Sequence, residues 1–132
     1  MITSIHWRCY MRVSDQRKAE RIVGRMQTVL GAPMAIEGYE RYRKIPELAE
    51  VLLTSPLNQD SAGEALLTAL EAAWRLARGW QIDNPDTRRE FEGIAAATTG
   101  ATFVVPGVEW MMFSITDDTA GAVFGPSEAD QR

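Results

Sequence analysis

One cysteine and one histidine, Cys9 and His6, are all that the sequence offers of two residue types that commonly ligate metals or act as nucleophile and base. A lone cysteine excludes an internal disulfide and fits a reducing compartment. The two residues stand three positions apart in an alternating segment. Positions three apart on a strand point to opposite faces, so Cys9 and His6 do not converge on one ion. Neither Gly-x-Gly-x-x-Gly nor Gly-x4-Gly-Lys-Ser/Thr occurs, which leaves no phosphate cradle. No apolar run approaches the roughly 18 residues that span a bilayer. The segment Met1-Ile2-Thr3-Ser4-Ile5-His6-Trp7-Arg8 lacks the basic-then-apolar order of a secretory signal. The expectation is a cytoplasmic protein with no metal, no cofactor and no membrane partner.

What is present is an ordinary globular balance, with 45% hydrophobic and 24% charged residues in 132, enough for one domain with a real core. The net charge of −4 is unevenly spread. Residues 1–44 hold nine Lys/Arg against four Asp/Glu, and residues 45–132 hold five against fourteen. The halves therefore carry +5 and −9. An acidic total disfavours general nucleic-acid binding, which needs clustered cations.

Ile5, Trp7, Cys9, Met11 and Val13 alternate with His6, Arg8, Tyr10 and Arg12, the period of a strand with one buried face. Cys9 therefore reads as a buried thiol. Arg8, Tyr10 and Arg12 make a basic, aromatic opposite face. Such faces can bind single strands by stacking, but the aromatic strand motif of an RNA-recognition domain is absent, and no nucleic-acid partner is expected.

Ser14-Asp15 offers an N-cap for a helix to about Leu30, with Ala19, Ile22, Val23, Met26 and Leu30 as its apolar stripe and Gly31 and Pro33 as its stop. A second strand spans Met34 to Tyr42. A third spans Leu48 to Thr54, with Ser55-Pro56-Leu57-Asn58 read as a turn. A second helix runs from Asp60-Ser61 to Arg78, with Leu66, Leu67, Leu70, Ala73, Trp74 and Ala77 as its core stripe. By spacing, Trp7 and Trp74 are core. Trp80 to Ile82, Phe91 to Ala97, Thr102 to Val105 and Val108 to Thr116 read as strands, the last two joined by a Pro106-Gly107 turn. Residues from about 117 to 132 read as a loose tail. The order predicts a single α+β domain over 1–132. Its mainly antiparallel sheet has two helices on one face, a ferredoxin-like core and extra C-terminal strands.

Catalytic groupings are thin. His6 is the only available base, and no serine is marked as its partner. Asp117-Asp118 reads as a solvated turn, and Glu90 and Glu92 as a charged strand face. No enzymatic activity is expected.

Phe91-Glu92-Gly93-Ile94, and Phe103 through Ile115 with its Gly107-Val108-Glu109-Trp110-Met111-Met112-Phe113 strand, resemble immunity proteins of bacterial polymorphic toxin systems. The resemblance implies a small cytoplasmic protein without enzymatic activity that binds one cognate toxin domain and occludes it. Many such toxins have basic substrate clefts, so an acidic surface would steer and fit. Asp83, Asp86, Glu90, Glu92, Glu109, Asp117 and Asp118 are the candidate partner-binding residues. Two other readings stand beside this one. One is a small-ligand-binding or enzymatic ferredoxin-like domain with an apolar pocket between sheet and helices, where Tyr10, Tyr39, Tyr42 and His6 would be tested first. The other is a homo-oligomer that uses the sheet face as its interface.

Overall fold

The structure, a computed structural model, describes residues 2–83 and 90–116. Asp86, Asp117, Asp118 and the expected tail lie outside the described residues. The chain runs β1 (Ile2–Met11), α1 (Gln16–Leu30), β2 (Ala35–Arg41), β3 (Ala49–Gln59), α2 (Ala62–Leu76), β4 (Ala77–Arg78), β5 (Gln81–Asp83), β6 (Glu90–Ala96), β7 (Thr102–Phe103) and β8 (Val108–Thr116). Six strands make one antiparallel sheet in the order β2-β3-β1-β8-β6-β5, and β4 and β7 pair separately. The class is α+β. β3 lies between β1 and β2, so β1, α1, β2 and β3 form a split β-α-β unit.

The period-two pattern of β1 does what it predicts. Ile5, Trp7, Cys9 and Met11 are buried, and the same face of β3 and β8 supplies Val51, Leu53, Leu57, Met111, Phe113 and Ile115. Both helices pack on this face, within the same buried cluster. Asp15 caps α1 by accepting from the Lys18 amide at 2.9 Å, and Gly31 closes it in the left-handed region at φ 76°. Arg75 of α2 donates to the Leu30 carbonyl at 3.1 Å, tying the end of α1 to α2.

Several sequence expectations are corrected. α2 does not bury Leu67 and Trp74, which are 65% and 48% exposed. Ala73 and Ala77 are buried and Leu66 and Leu70 pack half-buried against the core as expected, but Ala65, Ala69, Ala72 and Leu76 take the places given to Leu67 and Trp74. Small side chains let the helix approach the sheet closely, and that geometry overrides the greater hydrophobicity of the larger residues. α2 also stops at Leu76, and Ala77–Arg78 peel off to pair with Thr102–Phe103. The Trp80 indole donates to the carbonyls of Ala73 and Ala77, both at 2.9 Å, and so finishes the helix end.

Ser55–Asn58 is strand rather than turn. Ser55 is buried, and its hydroxyl accepts from the Trp7 indole at 2.9 Å. β2 pairs with β3 only as far as Thr54, so Pro56 falls where β3 has a neighbour on one side alone and a missing N–H is tolerated. In β2 a register shift between Ile36 and Gly38 switches the alternation, so Tyr39 packs toward the core. β7 and β8 form no hairpin. Val104 donates to the Leu76 carbonyl, and Gly107, at φ 100°, offers its carbonyl to the Arg12 amide, so the turn carries the chain from the small ladder into the main sheet.

Cys9 is fully buried, and burial alone pushes its thiol from the usual 9.0 up to about 12. The unfolded thiol ionises near its ordinary value and the folded one does not, so stability is full below about pH 9 and falls as pH rises toward 12. Denaturant titrations between pH 8 and 11 should show wild type losing stability faster than Cys9→Ala, by up to ~1.4 kcal/mol per pH unit. Parallel curves for the two proteins would contradict the burial. Gly93 tests the packing independently. A Cβ there would overlap Phe113 Cε2 and meet Ile82 Cδ1 at 2.8 Å, and Phe113 is fully buried. Gly93→Ala should lower the stability measured by urea unfolding by about 1–3 kcal/mol.

Candidate functional site

The helices cover one face of the sheet. Among the described residues the other is finished by the sheet's own side chains, whose register places them in three cross-strand rows. In the first, Tyr10 lies between Glu50 and Trp110, with Glu40 beyond Glu50 and Ala96 beyond Trp110. In the second, Arg8 lies between Leu52 and Met112, with Ile94 beyond Met112. In the third, His6 lies between Thr54 and Ser114, with Glu92 beyond Ser114. Leu52 and Ile94 are each 36% exposed.

Tyr42, at the end of β2, joins the first row. Its ring stacks on Tyr10 at 4.4 Å between centroids and 20° between planes. Tyr10 stacks on Trp110 at 4.8 Å and 30°. The Tyr10–Trp110 separation matches the ~4.8 Å spacing of neighbouring strands, so these two rings stand on edge to the sheet, and Tyr42 reaches Tyr10 across the intervening β3. The Tyr10 phenol is pushed above its ordinary 10.0, first by partial burial and then by the charge of Glu50. It is a neutral hydrogen-bonding group, not a base.

The face is acidic in balance. Arg8 pairs with Glu50 at 3.4 Å, and Arg12 grips Glu109 with both Nε and Nη2, the latter at 3.2 Å. The Glu109 hydrogen bond and charge push the Arg12 guanidinium further up, so this cation stays charged. Glu37 accepts from the Thr54 hydroxyl at 3.0 Å. Glu37, Glu40 and Glu92 have no cationic partner among the described residues.

Of the acidic residues singled out in the sequence, Glu92 lies on this face and Glu109 at its end. Asp83 stands opposite Glu92 in register, and Glu90 opposite Thr116. Sequence reasoning missed Glu37 and Glu40, which come from the basic first half, Glu50, just past it, and the apolar centre of Leu52, Met112 and Ile94. The even positions of β1 and the acidic character of β6 signalled the face. The Gly107–Phe113 segment serves both sides, since Val108, Met111 and Phe113 are buried while Trp110 and Met112 face outward.

Two depressions bear on the ligand-binding reading. One of about 250 Å³ lies on the uncovered face, where His6, Arg8, Glu37, Leu52, Thr54 and Met112 contribute to its walls. His6 makes no side-chain hydrogen bond to a carboxylate or hydroxyl among the described residues. The larger, about 530 Å³, lies at the end of the sheet among Arg12, Ser14, Lys18, Arg41 and Glu47. Arg41 is consumed there by the carbonyls of Val13 and Ser14, at 2.7 and 3.0 Å, and by the Tyr39 hydroxyl at 3.0 Å. Between sheet and helices, the gap lined by Met26, Leu76, Phe103, Val105, Val108 and Met111 has about 0 Å³ of room for water. No group of three potential metal ligands occurs among the described residues, and none of the described helices is long and apolar enough to cross a membrane. Comparison with protein-family models, with curated proteins and with solved structures finds no match to this chain.

Proposed function

We propose that this chain is a protein-binding inhibitor that docks through the uncovered sheet face onto a basic surface of a partner, in the manner of an immunity protein on a toxin domain. The observation that carries the docking is the composition of that face. An aromatic row and an aliphatic centre are surrounded by carboxylates, three of them uncompensated among the described residues. Tyr, Trp, Met and Arg are the side chains that interfaces favour, and Trp, Tyr and Arg dominate their hot spots. Five strand spacings by six or seven residues span roughly 24 by 20 Å, the scale of one side of a standard interface. The toxin-directed part of the proposal rests on the Gly107–Phe113 resemblance and on the acidic balance, which suits a partner with a basic cleft.

Other occupants fit less well. Nucleic acid would meet arginines already paired and an excess of carboxylates. A second copy placed face to face would oppose like charges. A small-molecule site of the kind sequence reasoning considered needs an apolar pocket between sheet and helices; the gap among Met26, Leu76 and Met111 has no room for water, and the depression of about 170 Å³ bordered by Ile5, Ser55, Glu71 and Arg75 is small and partly polar.

The test begins with capture of a partner by tagged wild-type chain from its source cells. The captured protein should arrest growth when expressed alone. Co-expression with this chain should restore growth, and co-expression with Met112→Arg, checked for folding by circular dichroism, should not. A captured protein that is harmless, or one held equally well by Met112→Arg, would sink the proposal. Reversal of Glu37, Glu40 and Glu92 to lysine should slow association with that partner at least tenfold at low salt, with the difference shrinking as salt rises.

A further inference from the structure

We infer that the Trp110 end of the aromatic row is a slot for an arginine side chain of the partner protein. The inference deepens the docking proposal and rests on it. Tyr10 is stacked by Tyr42 and by Trp110 at 4.4 and 4.8 Å, so its two neighbours must occupy opposite faces of its ring. Trp110 therefore has one face against Tyr10 and the other turned toward β6. There its register partner is Ala96, whose side chain is a single methyl. No ring or cation stacks on that second face among the described residues. The row thus ends in a step one residue wide, floored by a small side chain.

The four indoles differ in what they leave unfilled. Trp7 donates to Ser55 inside the core, and Trp80 donates to the end of α2. Trp74 already carries a cation, the Arg78 guanidinium lying 5.2 Å from its ring centroid. Trp110 has an open ring face and no hydrogen bond from its indole N–H among the described residues.

The chemistry of the occupant follows from shape and charge. A flat group fits beside a ring that stands on edge. A cation fits the negative ring face and the surplus of carboxylates on the sheet. Guanidinium is both planar and always charged, whereas an ammonium is compact and strongly hydrated. A neutral ring would gain the stacking but not the charge.

The test uses the full chain, ¹⁵N-labelled, and the indole N–H resonances of its tryptophans. Trp110 is assigned by the loss of its signal in Trp110→Phe. Nα-acetyl-argininamide is titrated into the tens of millimolar, beside Nα-acetyl-lysinamide, Nα-acetyl-phenylalaninamide and adenosine monophosphate. The Trp110 signal should shift several-fold more with argininamide than with any other probe, and Ala96→Leu, which fills the step, should remove most of that shift. A Trp110 signal that does not move overturns the inference, as does equal movement with lysinamide or larger movement with the phenylalanine or nucleotide probe. The capture experiment separates the two proposals. If Met112→Arg loses the partner while argininamide leaves Trp110 unmoved, the docking face stands and the arginine slot falls. If the partner is held regardless of Met112→Arg, the slot is not part of an interface and this inference falls with the docking reading.

Discussion

Two helices cannot cover both faces of a six-stranded sheet, and the rest of the molecule follows from that constraint. α1 and α2 are placed on one side, where Trp7, Phe113 and their neighbours close a packed interior. Among the described residues the opposite side is left to side chains that must tolerate water while standing in cross-strand contact. The central strand β1 mediates between the two. It is paired on both edges, so each alternate residue is committed to one face or the other by a ladder that cannot slip by one position without inverting everything.

The commitment explains why the uncovered side carries the strongest functional signal. A solvated sheet face with no task reads as alternating small polar and charged residues. This one instead holds a stacked aromatic row, a methionine and two exposed aliphatics. Ion pairs hold Arg8 and Arg12 within the face, leaving other carboxylates to set its sign. Apolar contact supplies the affinity in such surfaces, while charge supplies the encounter and the choice of partner.

Much of the fold was legible in the sequence, because β1 and α1 are locally determined. Their periods are clean, and Asp15 and Gly31 mark the helix ends by backbone chemistry alone. The misreadings come where a nonlocal neighbour decides. In α2, leucines and alanines recur on overlapping faces, and only the closeness of the sheet selects the alanines. At Pro56, the question is whether another strand lies alongside. For Thr102 and Phe103, the partner is the frayed end of α2 instead of the adjacent strand in sequence. The candidate face was legible only in part. The even positions of β1 and the acidic character of β6 could be read, but the row of Tyr42, Tyr10 and Trp110 joins three strands distant in sequence. Their meeting depends on register, which no single segment encodes. Leu52 was hidden because Val51-Leu52-Leu53 has no visible alternation.

The alanine face of α2 has an entropic consequence. Alanine has no rotamers to lose, so a helix seated on Ala65, Ala69, Ala72 and Ala73 orders its backbone but freezes few side chains there. Leu67, on the outer side of the same helix, keeps most of its rotational freedom in water. The ordering cost of that seat falls on Leu76 and the half-buried Leu66 and Leu70, the longer side chains that α2 also sets against the core.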